Sequence, residues 1–244
     1  MPAYNEAANI RDGVLSQVVE FLGTCGFTFE LLVVDDGSAD ESVGLMQAVS
    51  AAVPSMRVIQ THHGGKAHAL VTGLRAARGR IVLFSDIDQA IPISEASKLL
   101  PWFDSGFDIV IGSRGLERRH AALSRRAISF GQLAARVVLL GFGDITDTQC
   151  GFKAFRGDVV KPLLDRLVVY AGAQDRRAAG PRLSPGFDVE LLYVARKMKL
   201  SIKEVAVEVD HRRRGPKASL VRDCTAGVED LMAIRAADKR GRYG

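Results

Sequence analysis

With 244 residues, 47% of them hydrophobic, the chain is long enough for one full core, or a core with an elaboration. Cys25, Cys150 and Cys224 are odd in number and lack Cys-x-x-Cys spacing, which excludes a disulfide framework or a cysteine zinc site and suits a reducing compartment. The net charge of +5 is clustered at Arg118-Arg119-His120, Arg125-Arg126, Arg176-Arg177 and His211 to Lys217, a pattern for phosphates or an anionic membrane face; no aromatic residues interleave, which argues against nucleic acid.

In chain order, apolar residues at Ile10, Val14, Leu15, Val18 and Leu22 predict a helix from Asn5 to Leu22. Phe29 to Asp35 reads as a buried strand, and Asp36-Gly37-Ser38 as the turn into the next helix, with Ser38 as a candidate N-cap. That helix runs to about Ala52 and a short strand covers Arg57 to Gln60. His63-Gly64-Gly65-Lys66 opens a third helix that ends near Ala77, with Gly79 as its stop. Ile81 to Phe84 is a continuous apolar run, as expected of a strand covered on both faces. A helix over Ser94–Phe103 and a strand over Asp108–Ile111 follow. Alternating strands and helices predict an α/β fold with a mostly parallel sheet.

Beyond residue 112 the pattern changes. Arg125 to Leu140 is an amphipathic helix, either packed in the core or lying in a membrane interface with Arg125, Arg126 and Arg136 toward the headgroups. Asp147 to Lys153 is a loop entering a strand that runs through Phe155. A long loop over 171–185, a helix over Phe187–Lys199, an alternating strand over Ser201–Val209, a basic loop over 211–217 and a helix over Ser219–Lys239 complete the chain. The sequence predicts neither a secretory signal nor a spanning helix. Pro2 to Glu6 reads as the loop after a first strand of about five or six residues. No such strand precedes it, so the sequence predicts a gap in the middle of the sheet, as in a chain shortened at its N-terminus.

Asp86 and Asp88 directly follow the Ile81–Phe84 strand. Side chains two apart in extended backbone point the same way. Two carboxylates so placed repel unless a cation sits between them, and hard oxygen donors suit Mg²⁺ or Mn²⁺. A pair of solvated loop acids is the plain alternative. Asp35/Asp36 and Asp86/Asp88 both fall at strand carboxyl ends, where ligands bind in such sheets.

Pro-Ala-Tyr-Asn-Glu6, Val-Val-Asp-Asp-Gly-Ser38, Gly65-Lys66, Ser-Asp-Ile-Asp88, Gly-Ser-Arg114, Asp-Thr-Gln-Cys-Gly-Phe-Lys153 and Phe-Asp-Val-Glu-Leu-Leu-Tyr193 resemble, in order, glycosyltransferase family 2 with the GT-A fold. The resemblance covers nearly the whole chain. It implies one GT-A catalytic domain over 1–244, with a nucleotide-sugar half at 1–112 and an acceptor half at 113–244. The last two motifs, with Asp86 to Pro92, are most similar to members that glucosylate dolichyl phosphate, and nearly as similar to polyprenyl-phosphate mannosyltransferases. The implied activity is inverting transfer of glucose or mannose from UDP-glucose or GDP-mannose to a polyprenyl phosphate. It would require Mg²⁺ or Mn²⁺ and take place at the cytoplasmic face of a membrane touched only peripherally.

By the same resemblance, Pro2, Tyr4 and Glu6 hold base and ribose, and Asp36 and the backbone near Val34 contact the nucleoside. Asp86 and Asp88 hold the metal, and Lys66 meets a phosphate at its Gly-rich helix start. Arg114 lies near sugar and phosphates, Ser124-Arg125 or Arg126 meets the acceptor phosphate, and Arg212 and Lys217 close on the diphosphate. Asp188 positions sugar or acceptor, or serves as base if the acceptor is a hydroxyl. The plain alternatives are a βα turn at Pro2–Glu6, helix capping by Asp35/Asp36 and Asp188, and solvated cations at Lys66, Arg125, Arg212 and Lys217. The chain departs from the family pattern twice. Many members carry Gln two residues after the second Asp, where this chain has Ala90 and Gln89 comes one early; Lys217 is also one place early. The five histidines, His62, His63, His68, His120 and His211, share no ligand spacing and receive no role. Two other functions stay open: transfer to a hydroxyl acceptor with Asp188 as base, and non-catalytic nucleotide-sugar binding.

Overall fold

The computed structural model describes residues 1–114, 141, 145–171, 186–213 and 220–244. The helix expected over 125–140 with Arg125 and Arg126, most of the 171–185 loop, and Lys217 lie outside the described residues.

Among the described residues, the strands form two sheets rather than one. The first is wholly parallel, in the order β1 (Pro2–Ala3), β2 (Leu31–Asp35), β3 (Met56–Gln60). Every residue of β2 is buried, as its unbroken apolar run predicts. The second sheet contains β4 (Ile81–Ser85), β5 (Ile109–Ser113), β6 (Phe152–Arg156) and β7 (Ile202–Ala206), in the order β4-β6-β5-β7. β6 runs antiparallel to both neighbours, whereas β5 and β7 are parallel. Nothing in the β6 sequence announces the reversal, because Phe152, Ala154 and Phe155 are buried whichever way the strand runs.

The N-terminal expectation needs a correction. Pro2–Ala3 is itself a strand, not the loop after one: the Val34 N–H donates to Met1 O at 2.8 Å and the Asp36 N–H to Ala3 O at 2.9 Å. The predicted gap is present as the break between the sheets, which no backbone ladder joins among the described residues.

The helix predicted over Asn5–Leu22 is two, α1 (Ala7–Arg11) and α2 (Val14–Thr24), parted by Gly13 at φ +79°. α3 (Ser42–Ala52) and α4 (Lys66–Ala76) follow their predicted spans closely. The helix predicted over Ser94–Phe103 is three short turns, interrupted at Pro101, whose missing N–H cannot continue a helix. α5 (Gly157–Asp165) went unpredicted; α6 (Phe187–Lys197) and α7 (Leu220–Lys239) were expected.

Side-chain alternation covers both faces of the second sheet. Ile109 and Ile111 pack with α4, α5 and α6 through Leu70, Leu163 and Leu191, while Val110 faces Ala96, Leu99 and Phe152. α4 links the two sheets. Its Gly73 lies so close to β2 that an added Cβ would sit 3.0 Å from Val34, and its Leu70 and Leu74 share a core with Phe84 of β4. In the first turn of α6, buried Glu190 accepts the N–H groups of Val168 and Val169 at 2.7 Å and Tyr170 at 2.8 Å, and the Tyr243 hydroxyl at 2.7 Å.

Candidate active site

Two strand ends build the site. At the end of β2, Asp35 accepts from the N–H groups of Gly37 and Ser38 and so shapes its own turn. Asp36 reaches across to the loop before α4: its Oδ1 accepts the Gly64 N–H at 2.9 Å, its Oδ2 the Gly65 N–H at 2.8 Å, and His63 Nδ1 lies 2.8 Å from Oδ2. Two glycines permit this closeness, since a Cβ on Gly37 would lie 2.8 Å from the His63 nitrogen and one on Gly64 would strike the His68 ring. Tyr4 stacks on His63, with ring centroids 4.1 Å apart and planes 14° from parallel. The turn carrying Tyr4 and Glu6 is pinned by Asn5 N–H to Ser38 Oγ at 2.9 Å and Glu6 N–H to Ser42 Oγ at 2.7 Å. Val34 is core, and its N–H is engaged by Met1.

At the end of β4, Asp86 Oδ1 pairs with Lys66 Nζ at 2.6 Å, and Asp88 Oδ1 accepts the Ala90 N–H at 2.9 Å. Between them Gln89 turns inward at φ +50°. Its amide donates to Ser85 Oγ and Asp86 O and accepts from the Ile93 N–H, so it braces the loop instead of reaching a ligand. Gly151 abuts the Asp86 carboxylate so closely that a Cβ there would overlap it. Asp188 at the start of α6 pairs at 2.6 Å with Lys153, a wholly buried lysine on β6. Arg114, at the end of β5, is held by Asp147 through two bonds of 2.8 Å. Asp86, Asp88, Arg114 and Gly151 line a cavity of about 60 Å³.

The charges of this cluster act on one another. Burial raises Asp88 above the usual carboxylate range, with Asp86 adding to the effect and the Ala90 N–H, Lys66 and Arg213 opposing it. Burial likewise raises Glu6, against its Asn9 bond and with help from Asp88 and Asp86. Burial works against the Lys66 charge, but Asp86, and behind it Asp188 and Asp88, hold the ammonium above its usual value. Asp86 and Asp88, with the charge of Glu6 nearby, are the surplus that a divalent cation relieves, and their hard oxygens fit Mg²⁺ or Mn²⁺. Among the described residues no group of three or more potential ligands stands together, so Asp86 and Asp88 would leave the remaining positions to phosphate and water.

Pro2, Tyr4, Glu6, Asp36, Lys66, Asp86, Asp88, Arg114 and Asp188 are thus placed in or after β1, after β2, β4 and β5, and at the starts of α4 and α6. Arg212 is not among them: its side chain is 91% exposed and pairs with Asp210. The next residue, Arg213, carries its charge toward Asp88 and donates to Gln17 Oε1 at 2.9 Å. Sequence reasoning missed His63, Asp147, Lys153 and Arg213. Asp147 and Lys153 left a trace as the two ends of the quoted motif Asp-Thr-Gln-Cys-Gly-Phe-Lys153, and Lys153 also as a lysine inside the apolar run Phe152 to Phe155.

The family model for glycosyl transferase family 2 matches residues 1–164. A dolichyl-phosphate beta-glucosyltransferase of Drosophila melanogaster is 34% identical over 238 residues, 88% of this chain and 68% of that protein. Among solved structures, glucosyl-3-phosphoglycerate synthase from Mycobacterium tuberculosis, with phosphoglyceric acid, superposes at TM-score 0.64 and 21% identity, covering 96% of this chain and 78% of that one. A mannosyltransferase from Pyrobaculum calidifontis in complex with GDP-Man and Mn²⁺ superposes at TM-score 0.53 and 19% identity, over 98% and 73%.

Proposed function

The chain belongs to glycosyl transferase family 2 and has its GT-A fold, and from that premise we propose an inverting transfer of glucose from a nucleotide diphosphate sugar to a polyprenyl phosphate. The observation that carries the proposal is the cluster of Asp86, Asp88, Lys66 and Asp188, gathered from the loop after β4 and the starts of α4 and α6 across the break between the sheets. UDP-glucose is the donor we favour over GDP-mannose, because the curated relative quoted above is a glucosyltransferase.

In this reading the nucleoside lies over Tyr4, Glu6 and Asp36, and the diphosphate reaches Lys66, with Arg114 and Arg213 adding positive charge. A Mg²⁺ or Mn²⁺ held by Asp86 and Asp88 would offset the charge that grows on the leaving nucleoside diphosphate. An acceptor phosphate, with a second pKa of about 6, is already largely dianionic at neutral pH and needs no base to attack the anomeric carbon from the opposite face. Asp188, fixed by Lys153, then orients sugar or acceptor. Arg125 and Lys217 are proposed to meet the acceptor phosphate and the diphosphate, as the family resemblance implies. Among the described residues no helix is long and apolar enough to cross a membrane, and peripheral contact at the cytoplasmic face would give access to a lipid acceptor.

The test is release of UDP and GDP from a panel of nucleotide sugars, with Mg²⁺ or Mn²⁺, with and without a short polyprenyl phosphate. Lipid-stimulated release of UDP from UDP-glucose, lost in Asp88→Ala, is the expected result. Release stimulated only by sugar hydroxyls, and abolished in Asp188→Asn, would replace the phosphate acceptor with a hydroxyl one. Binding of donor without turnover under any acceptor would leave a nucleotide-sugar-binding protein.

A further inference from the structure

His63 does two things that the proposed donor's base would also do. Its imidazole lies flat on Tyr4, 4.1 Å between centroids and 14° from parallel, and its Nδ1 is 2.8 Å from Asp36 Oδ2. A planar ring that stacks on an aromatic and offers an N–H to a carboxylate describes a nucleobase as well as a histidine. We propose that the His63 ring occupies the nucleobase position, and that nucleotide binds by displacing it.

The surroundings support exchange rather than coexistence. Asp36 is 2% exposed, so a base reaches its carboxylate only after His63 leaves. When His63 leaves, the carboxylate keeps its anchors, because the Gly64 and Gly65 N–H bonds come from the backbone and use other lone pairs. The outgoing ring has solvent to move into, its side chain being 35% exposed already, and its departure frees the Tyr4 face on which it stacks. Displacement costs the protein one stacked pair and the His63 Nδ1 contacts with Asp36 Oδ2 at 2.8 Å and the Asp36 carbonyl oxygen at 3.0 Å, of which the incoming base remakes the stack and the carboxylate bond. His63 therefore competes with the donor while leaving the Asp36 pocket formed and dry between turnovers, and so sets donor affinity.

This inference rests on the nucleoside reading of Tyr4 and Asp36, and the test separates the two. Calorimetric titrations of UDP, GDP and inorganic pyrophosphate, each with Mg²⁺, are compared for the wild-type chain and His63→Ala. The expected result is that His63→Ala binds UDP or GDP about fivefold more tightly while pyrophosphate affinity stays the same. Equal or weaker nucleotide binding in His63→Ala overturns the displacement. A parallel gain for pyrophosphate overturns it too, since the effect would then not lie with the base. If neither UDP nor GDP binds better than pyrophosphate to either protein, the nucleoside reading itself fails. A second measurement needs only wild-type protein for its result: the His63 imidazole NMR signal, assigned by its loss in His63→Ala, is expected to shift with UDP or GDP and not with pyrophosphate. An unmoved signal at saturating nucleotide overturns the displacement.

Discussion

Lys153 Nζ lies 2.6 Å from Asp188 Oδ1, and of the two side chains only the aspartate reaches solvent. The ammonium also donates to the Cys150 carbonyl and lies 5.2 Å from the centroid of the Phe84 ring, so β6 delivers a buried cation to the floor of the site. Such a pair is asymmetric. Removing the aspartate strands a charge with no route to water; removing the lysine leaves a carboxylate that is 20% exposed.

Asp188→Ala is therefore expected to lose about 3 kcal/mol of stability and Lys153→Met distinctly less, with part of the loss recovered in the double variant. Urea unfolding of the four proteins measures this. Equal losses for the two single variants would show that the pair is not buried as described.

Gly151 has a different use. Its missing Cβ is the space that the Asp86 carboxylate occupies. In Gly151→Ala, Asp86 must turn aside from Lys66, and turnover is expected to fall at least about tenfold, the rate equivalent of about 1.4 kcal/mol. Because Asp86 is partly solvated, the unfolding midpoint should shift little. Full activity in Gly151→Ala would remove Asp86 from the chemistry.

In the same first turn of α6 as Asp188, Glu190 accepts four hydrogen bonds, three from backbone and one from Tyr243. Glu190→Gln puts an amide donor against N–H donors and is expected to cost about 2 to 4 kcal/mol, against about 1 to 2 for Tyr243→Phe. Burial first, and then the Glu190 charge, hold the Tyr243 hydroxyl above its ordinary range. The folded chain thus keeps a proton that the unfolded chain releases above about pH 10, so this contribution is whole below that pH and declines as pH rises past it. Stability measured from pH 8 to 11 should fall less steeply in Tyr243→Phe than in the wild type.

Cys150 lies against Gly112, 3.1 Å from where a Cβ would stand, and is wholly buried. Burial pushes its thiol up to about 11, against the opposing charge of Arg114. Iodoacetamide at pH 8 is expected to modify half-exposed Cys25 and spare Cys150 until urea is added, as peptide mass spectrometry would show. Rapid native labelling of Cys150 would mean that the Asp147–Gly151 turn opens.

The apolar runs made the strands legible: β2 and β4 fall within two residues of their predicted spans because a doubly covered strand must be continuously apolar. Asp86 and Asp88 were legible from their place directly after an apolar strand, but β4 ends at Ser85 and Ile87–Asp88 is a turn, so the turn rather than extended backbone sets where the two carboxylates lie. The reversal of β6 was not, since burial does not encode direction. Nor was the choice between Arg212 and Arg213, which depends on one turn of 3₁₀ helix at His211–Arg213 that aims neighbouring side chains apart. Gln89 shows the same limit: its left-handed backbone, not its position in the motif, decides that its amide braces the loop. His63 carried no signal at all, because its partners are 59 and 27 residues away, and only the fold brings Tyr4 and Asp36 to it.

The break between the sheets also has a mechanical side. Load along a continuous sheet is shared by its ladder of hydrogen bonds. Among the described residues no ladder crosses between the two sheets, and what crosses includes α4, through Gly73 on Val34 and through Leu70 and Leu74 beside Phe84, the apolar Ile87 and Ile93, and the Lys66–Asp86 pair. Packed surfaces yield by small sliding movements, whereas ladders yield only by rupture. Deformation is thus expected along that line, which the Lys66–Asp86 pair spans. A diphosphate held by Lys66, and by Asp86 only through a shared cation, would act as a bolt through that joint, stiffening the molecule most where the proposed reaction would take place.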